Sequence, residues 1–296
     1  MVRDPKIELP PEVRHTLLGD LREIVRELRS SRDLIYQITR RDIKIRYTQA
    51  IFGFAWALLL PVSVVLAGLA VRVAFVHMSN NGVLPPNQVA GVSVKAVPWA
   101  FFVACLNTAT PSLVSNISLV TKTYFPREVL PLSAVLAQSV DTLIATVLIA
   151  LTLPFFHVTA SLQLLWVPVL LAMLWVFTLA VALFLSCANI FFRDVKYLVQ
   201  VFLTFGIFVT PVVLDASMYG KTGAMLMMLN PIAPVLEGLR LSIVQHHNLL
   251  EPMASPAGFI FWHPWYLAYT AVWAVLGLLF SAILFHRCER RFAELV

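Results

Sequence analysis

Charged residues are scarce in this chain: only 13% of its 296 residues are Asp, Glu, Lys or Arg, whereas 59% are apolar. An ordinary soluble domain has roughly a quarter of its residues charged. The first 50 residues hold 11 basic and 8 acidic residues, half of the chain's 22 and 16. These numbers exclude a disordered chain and most soluble enzymes. They predict a cytoplasmic segment over 1–50 and a membrane domain over 51–296.

Sequence patterns typical of metal sites, nucleotide sites or disulfide bonds are also missing. The three cysteines are single and far apart, which matches no disulfide or metal spacing. Residues 215–222 read DASMYGKT, with Asp215 where a phosphate loop needs glycine. His246 and His247 are neighbours and would point about 100° apart on a helix, so they make a poor metal pair. We therefore expect no metal site, no cofactor and no catalytic site in this chain.

Six apolar runs are long enough to cross the hydrocarbon core, which takes about 20 helical residues. The predicted fold class is an all-α integral membrane protein. The spans are predicted at about 52–76, 98–119, 130–156, 164–190, 198–216 and 264–286.

Basic residues between the spans predict the orientation, because cytoplasmic loops are enriched in Lys and Arg. With a cytoplasmic N-terminus, the cytoplasmic junctions after residue 50 hold Lys122, Arg127, Arg193, Lys196, Arg287, Arg290 and Arg291. The opposite side holds only Lys95, Lys221 and Arg240. Both termini are therefore predicted to be cytoplasmic. Because the basic residues lie beside apolar runs, nucleic acid is not an expected partner.

The segment before the first span is amphipathic. Apolar residues recur at three- and four-residue steps from Leu17 to Leu28 and continue through Leu34, Ile38 and Ile45 among basic residues. Such a basic helix is expected to lie along the cytoplasmic membrane surface. It is either a simple anchor or a helix that also docks a cytoplasmic partner.

The stretch 217–263, between the fifth and sixth spans, is apolar but is interrupted by Pro231, Pro234 and Gly238. It is too short and too broken to cross twice. Two short re-entrant helices in the outer leaflet are predicted, since broken helices are tolerated where protein covers them. An ordinary extracellular surface helix is the alternative.

Two charges fall inside the predicted spans. Arg72 is expected near the outer interface, where its side chain can snorkel. Asp141 is expected near the middle of the third span, where an unpaired charge is costly. Ser139 and Thr142 are candidate hydrogen-bond partners for it. Asp141 either lines a channel or a helix contact, or is a protonated and satisfied carboxyl.

Aromatic residues are predicted near span ends, where they form an interfacial belt or, alternatively, stack on sugar rings. They are Trp56, Trp99, Phe101, Phe102, Trp262, Trp265 and Tyr266.

The junction 121–131, TKTYFPREVLP, combines aromatic and charged residues. It is either a knob that inserts into a groove of another protein or a simple turn set by Pro126 and Pro131.

Four blocks together resemble the membrane subunit of ATP-binding-cassette type-2 exporters. They are RRDIKIRYTQAIFGFAWALLLP (40–61), TKTYFPREVLPLS (121–133), NIFFRDVKYLVQVF (189–202) with TPVV (210–213), and LNPIAPVLEGLR (229–240). The resemblance covers about residues 30–290 and is to the polysaccharide branch, which exports O-antigen, capsule or teichoic-acid chains. Thr48 and Leu60 depart from the residues common there.

The resemblance implies a bacterial inner-membrane protein with roles for particular positions. The ATPase-coupling residues would be Arg40, Arg41, Asp42 and Arg46 in an interfacial helix, and Tyr124, Phe125, Pro126, Arg127 and Glu128 in a coupling helix. The translocation path would be lined by Phe52, Trp56 and Phe205 of spans one and five, joined by Asp141. The outer gate would contain Pro211, Asn230, Pro231, Glu237 and Arg240.

The resemblance also implies a homodimer that works with two copies of a separate ATPase, which would bind the ATP and magnesium. The substrate would be a lipid-linked glycan that passes between the two copies from the cytoplasmic side. The alternatives are a type-2 exporter of a small lipid or drug, a stand-alone secondary transporter, and a membrane-embedded lipid- or sugar-processing enzyme. A lone Asp141 gives little support to proton coupling, and no catalytic constellation supports the enzyme.

Overall fold

A computed structural model describes residues 17–48, 55–78, 86–122 and 125–295, and most of these residues are helical. The helices are α1 Leu17–Ser30, α2 Arg32–Tyr47, α3 Trp56–Met78, α4 Pro86–Ala109, α5 Ser112–Ser115, α6 Ile117–Lys122, α7 Val129–Thr152, α8 Trp166–Phe191, α9 Val195–Val209, α10 Gly220–Met228, α11 Ala233–Val244 and α12 Trp265–Leu295. Short 3₁₀ helices cover Leu153–Phe156, Leu162–Leu165 and Ala216–Met218. The mostly helical membrane fold predicted from the apolar runs is confirmed.

Four helices in these ranges are long and apolar enough to cross a membrane: Asn87–Ala109, Val129–Phe156, Leu162–Phe191 and Trp265–Glu289. Counting the bent pair α10 and α11 as one broken span would give five. In the first predicted span the apolar stretch is Pro61–Ala74, which lies within α3, and in the fifth it is α9, Val195–Val209; both stretches are shorter. The six-span count and the cytoplasmic termini therefore stay predictions.

The second span was predicted too far along the chain. Its helix, α4, covers Pro86–Ala109 rather than 98–119, and it is the most deeply buried of the four, with 83% of its apolar window inside the structure. The predicted span began too late because the charged Lys95 was expected to lie outside it. In the structure Lys95 is fully buried and paired, so the helix continues through it.

The fifth predicted span also ends earlier than expected. Helix α9 stops at Val209, whereas the prediction ran to 216. Thr210 has extended backbone angles because it precedes Pro211, whose ring disfavours the helical conformation in the residue before it. At 15 residues the helix is about 22 Å long, short of the roughly 30 Å core.

The stretch between α9 and α12 folds back on itself. Helices α10 and α11 meet at 111°, and the break between them holds Asn230 and Pro231. The Asn230 side-chain oxygen accepts a hydrogen bond from the Ile232 amide (3.2 Å), which fixes the corner. A two-stranded antiparallel hairpin, β1 Met253–Ala254 and β2 Ile260–Trp262, follows and was not predicted. The bend has the shape of a re-entrant pair; its depth in the membrane stays a prediction.

The amphipathic segment forms two helices that pack on the membrane domain. Helix α2 lies against α7, and α1 lies against α12. Ile24 and Ile38 are buried at these contacts, and Arg287 of α12 donates two hydrogen bonds to Asp20 (2.9 and 3.0 Å). The predicted apolar stripe is thus used at least partly for packing within the chain.

The predicted aromatic belt is wrong for four of its members. Trp99, Phe101, Phe102 and Trp262 are buried in the core, where their apolar area packs against other helices. Trp99 and Phe102 lie 6.0 Å apart between ring centroids, and the Trp262 indole donates a hydrogen bond to the Leu249 carbonyl (3.1 Å). Trp265, 67% exposed, fits the belt.

Candidate functional site

A polar cavity of about 310 Å³ opens between α2, α4 and α7. We call it the Asp141 cavity. Its lining residues are Arg46, Tyr47, Pro61, Val97, Ala100, Phe101, Ala104, Asn107, Thr108, Gln138, Asp141, Thr142 and Ala145. Polar side chains in an otherwise apolar bundle form a place where water or a polar ligand is stable.

Asp141 is nearly fully buried but is paired. The Arg46 guanidinium donates to the Asp141 carboxylate and to the Gln138 side-chain oxygen (2.8 Å). The Tyr47 hydroxyl donates to the second Asp141 oxygen (2.5 Å). Burial raises the pKa of the Tyr47 phenol well above its ordinary value, and the hydrogen bond to Asp141 raises it further. The cavity therefore holds a hydrogen-bonded ion pair between the amphipathic segment and α7.

The partners predicted for Asp141 are wrong. The Ser139 and Thr142 hydroxyls donate to the backbone carbonyls of Val135 and Gln138 (2.8 and 2.9 Å) instead. Hydroxyls in helix interiors often bond to the carbonyl four residues earlier, which leaves them turned away from a neighbouring side chain. Arg46 was predicted only as a coupling residue, because nothing in the sequence links it to a residue 95 positions away.

A second polar centre, the Asp215 cluster, consists of Arg72, Lys95, Asp215, Glu237 and Arg240. One oxygen of Asp215 accepts hydrogen bonds from the Arg72 guanidinium and the Lys95 ammonium, each at 2.6 Å. The Arg240 guanidinium lies 3.4 Å from that oxygen and also binds Glu237. The remaining Glu237 oxygen lies 3.9 Å from Lys95.

The Asp215 cluster joins four separate segments through buried charges. Arg72 comes from α3, Lys95 from α4, Glu237 and Arg240 from α11, and Asp215 from the turn after α9. Three cations, Lys95, Arg240 and Arg72, surround the buried Asp215 carboxylate and compensate its charge. The predicted snorkelling of Arg72 is wrong: only 1% of it is exposed, because Asp215 neutralises it inside the protein.

The turn 125–128 packs against α12. Phe125 and Glu128 are buried. The Arg127 amide donates to the Glu289 carboxylate (3.1 Å), and its guanidinium donates to the Glu289 carbonyl oxygen. Only Pro126 and Arg127 are partly exposed, so a docking role for this turn stays a prediction. Tyr124 lies outside the described residues.

The predicted coupling residues of α2 point in different directions. Arg40 is exposed, whereas Arg41 is partly buried and bonds to Asp42 (2.9 Å) and the Asn116 side chain (3.0 Å). Arg46 lies in the Asp141 cavity. The structure thus brings Arg46 and Asp141 together, although the resemblance assigns one to coupling and the other to the path.

The predicted path and gate residues are also dispersed. Phe205 is 63% exposed on α9; Phe52 and the Trp56 side chain lie outside the described residues. Glu237 and Arg240 are in the Asp215 cluster. Pro211 is buried, and Asn230 and Pro231 form the partly buried corner between α10 and α11.

Comparisons with known proteins find relatives of this chain among export permeases. No family model matches the chain. Two proteins of Klebsiella pneumoniae, both named O-antigen export system permease protein RfbA, are 27% identical over 205 residues, which is 69% of this chain and 77% of each relative. A Myxococcus xanthus protein of the same name is 28% identical over 235 residues, 79% of this chain and 87% of the relative.

This chain is similar to proteins named O-antigen export permeases. The similarity confirms the resemblance to type-2 exporter membrane subunits that the four sequence blocks predict. Together with the four long apolar helices, it makes the chain a multi-pass membrane protein. The Asp141 cavity and the Asp215 cluster are therefore polar centres in a permease-like membrane domain.

Proposed function

We propose that the chain is the membrane subunit of an ATP-driven exporter that moves a lipid-linked polysaccharide out of the cytoplasm. The observation that carries this proposal is the similarity to O-antigen export permeases over as much as 79% of the chain. An ATPase on a separate chain would bind ATP and magnesium. The substrate would be an O-antigen, capsule or teichoic-acid chain.

Two copies of the chain would form the conduit. Helix α9 supports this proposal because Phe202, Phe205 and Phe208 are each more than 60% exposed at three-residue steps. Residues at that spacing lie on one side of a helix. A second copy would cover this aromatic face, and rings that line a passage would offer the sugar apolar faces without fixing it. Lipid contact is the other environment that suits the face.

The Asp141 cavity would transmit movement between the ATPase side and the span. Arg46 and Tyr47 belong to the amphipathic segment, and Asp141 belongs to α7, so the ion pair holds the two together. A polysaccharide also needs polar surface along its path, because each buried unpaired hydroxyl costs a few kcal/mol. Asn107, Thr108 and Gln138 supply amide and hydroxyl groups in the same cavity.

The exposed part of α2 would contact the ATPase. We expect Arg40→Glu to reduce the amount of ATPase that copurifies with the chain by about tenfold, because reversing an interfacial charge opposes its partner. Arg40 is exposed, so the fold is expected to remain intact. Phe125→Ala is less informative, because Phe125 is buried and its truncation also removes core packing. The measurement is quantitative mass spectrometry of the complex purified in mild detergent from its native host.

Lys221→Glu is the matched control, since Lys221 is exposed and lies on the opposite side in the predicted topology. An ATPase that copurifies equally with both variants would contradict docking through α2. Absence of any ATPase from the folded wild-type protein would instead favour a stand-alone transporter.

Reconstitution in vesicles tests which substrate the complex transports. Vesicles that contain the chain and its ATPase should translocate a lipid-linked glycan only with ATP. Transport of small lipids but not of the glycan would favour the small-substrate exporter. Transport driven by a proton gradient without the ATPase would overturn the proposal.

A further inference from the structure

Buried Glu128 and the partly buried His286 and Glu289 form a cluster where the 125–128 turn meets α12. One ligand atom from each residue lies within 4.8 Å of the other two. His286 and Glu289 are three residues apart on α12, a spacing that puts both side chains on one side of the helix. Glu128 reaches them from the turn, so the cluster joins two segments that are distant in sequence.

The cluster contains polar atoms that the described residues leave unsatisfied. Both carboxylate oxygens of Glu128 and Nδ1 of His286 are buried without a hydrogen-bond partner. Glu128 is only 3% exposed, so water cannot fully replace the missing donors. A buried carboxylate with no hydrogen-bond donor on either oxygen is costly, because it loses its hydration. The His286 ring nitrogen, 3.5 Å away, pairs with Glu128 only when the ring is protonated. The pattern points to a cation as the missing partner.

Among the side chains that the structure describes, more carboxylates than cations surround the cluster. Glu23 of α1 lies 3.8 Å from Nε2 of His286, on the other side of the ring. Arg127 is a neighbouring cation in the described part of the chain, but its amide and guanidinium are already bonded to Glu289. Arg287 is paired with Asp20. Two carboxylates and one imidazole therefore face the centre of the cluster, and a third carboxylate stands behind the imidazole.

We propose that Glu128, His286 and Glu289 bind a divalent first-row transition ion, Zn²⁺ or Mn²⁺. Imidazole nitrogen and carboxylate oxygen are ligands that suit both ions. Bonds of about 2.0–2.2 Å place neighbouring tetrahedral ligand atoms roughly 3.4 Å apart. The three side chains would close by about 1 Å, and water would complete the coordination. Glu23 would orient the imidazole from Nε2, as carboxylates do behind metal-bound histidines.

The ion would fasten the 125–128 turn to the end of α12. It would neutralise Glu128, which no described donor reaches, and would hold the turn at a fixed distance from the membrane domain. This goes beyond the proposed export function and does not depend on what the turn contacts. Without an ion, a charged His286 would have to balance Glu128 across 3.5 Å. The test separates these two arrangements.

The test is metal binding by the purified full-length chain, with its affinity tag removed and residual metal stripped by a chelator. Mn²⁺ is the first probe, because it favours carboxylate and imidazole over thiolate and is read directly by electron paramagnetic resonance. We expect about one ion per chain and a higher midpoint of thermal unfolding with the ion present. Elemental analysis after Zn²⁺ loading gives a second measurement, with Cys288→Ser to exclude the neighbouring thiol.

Variants locate the site. Glu128→Gln and His286→Gln should each weaken binding by more than about tenfold. His77→Gln, at an exposed histidine of α3, should bind like the wild type. Glu289→Gln is the second ligand variant if either of the others fails to fold. No bound ion in the folded wild type, or equal binding by His286→Gln and His77→Gln, would overturn the metal site.

Discussion

Replacing Asp215 by Asn is expected to destabilise the membrane domain strongly. Asp215 is the common partner of Arg72, Lys95 and Arg240, and all three are buried. Removing one member of a buried ion pair leaves an uncompensated charge and costs about 3–5 kcal/mol. For a chain of this size we expect the midpoint of thermal unfolding in detergent to fall by about 10 °C.

A matched control and a repair variant make this prediction specific. Asp194→Asn makes the same chemical change at an exposed position that forms no side-chain cap, so its midpoint should be unchanged. Adding Lys95→Met to Asp215→Asn removes one of the stranded cations and should recover part of the loss. If Asp215→Asn melts like Asp194→Asn, the Asp215 cluster does not stabilise the fold.

Replacing Asp141 by Asn is expected to reduce export by the assembled complex by at least about tenfold while the chain still inserts and folds. Asn keeps the size of Asp but loses the charge that binds Arg46 and fixes the Tyr47 hydroxyl. Arg46 is 28% exposed at its side chain and can turn toward solvent, so the loss of stability should be only about 1–2 kcal/mol. The measurement is the amount of glycan at the cell surface, normalised to chain abundance.

Substitution of Arg46, the second member of the ion pair, tests the pair itself. Arg46→Gln should give the same export defect, and the double variant should be no worse than either single variant, because residues in one pair are not additive. Asp33→Asn, on the exposed side of α2, is the matched control and should export normally. Normal export by Asp141→Asn would contradict the transmission of movement through the Asp141 cavity.

The long helices and the relationship to exporters were accessible from the sequence. Spans three, four and six were predicted within a few residues, because each is an uninterrupted apolar run bounded by polar residues. The amphipathic segment was predicted from local spacing and forms α1 and α2. The four motif blocks indicated the resemblance to exporter membrane subunits, and the relatives at 27–28% identity confirm that resemblance.

The same reasoning failed for the charged residues inside the membrane domain. Lys95 was placed outside a span and Arg72 at the membrane surface, because an isolated charge in hydrocarbon is unfavourable. Lys95 and Arg72 are not isolated, because both bind Asp215, which lies 120 and 143 positions further along the chain. Asp141 was recognised as important, but its partners Arg46 and Tyr47 lie in the segment that was predicted to rest on the membrane.

The sequence by itself determined the apolar helices of spans three, four and six, the amphipathic segment before the first span, and the resemblance to exporter membrane subunits. Those properties follow from the composition of neighbouring residues, which each segment carries with it. Only the tertiary structure decided which charges meet: Arg46 with Asp141, Asp215 with three cations, and Glu128 with His286. Pairing over such distances depends on how the helices pack, and the large penalty for a buried unpaired charge then makes the pairing specific.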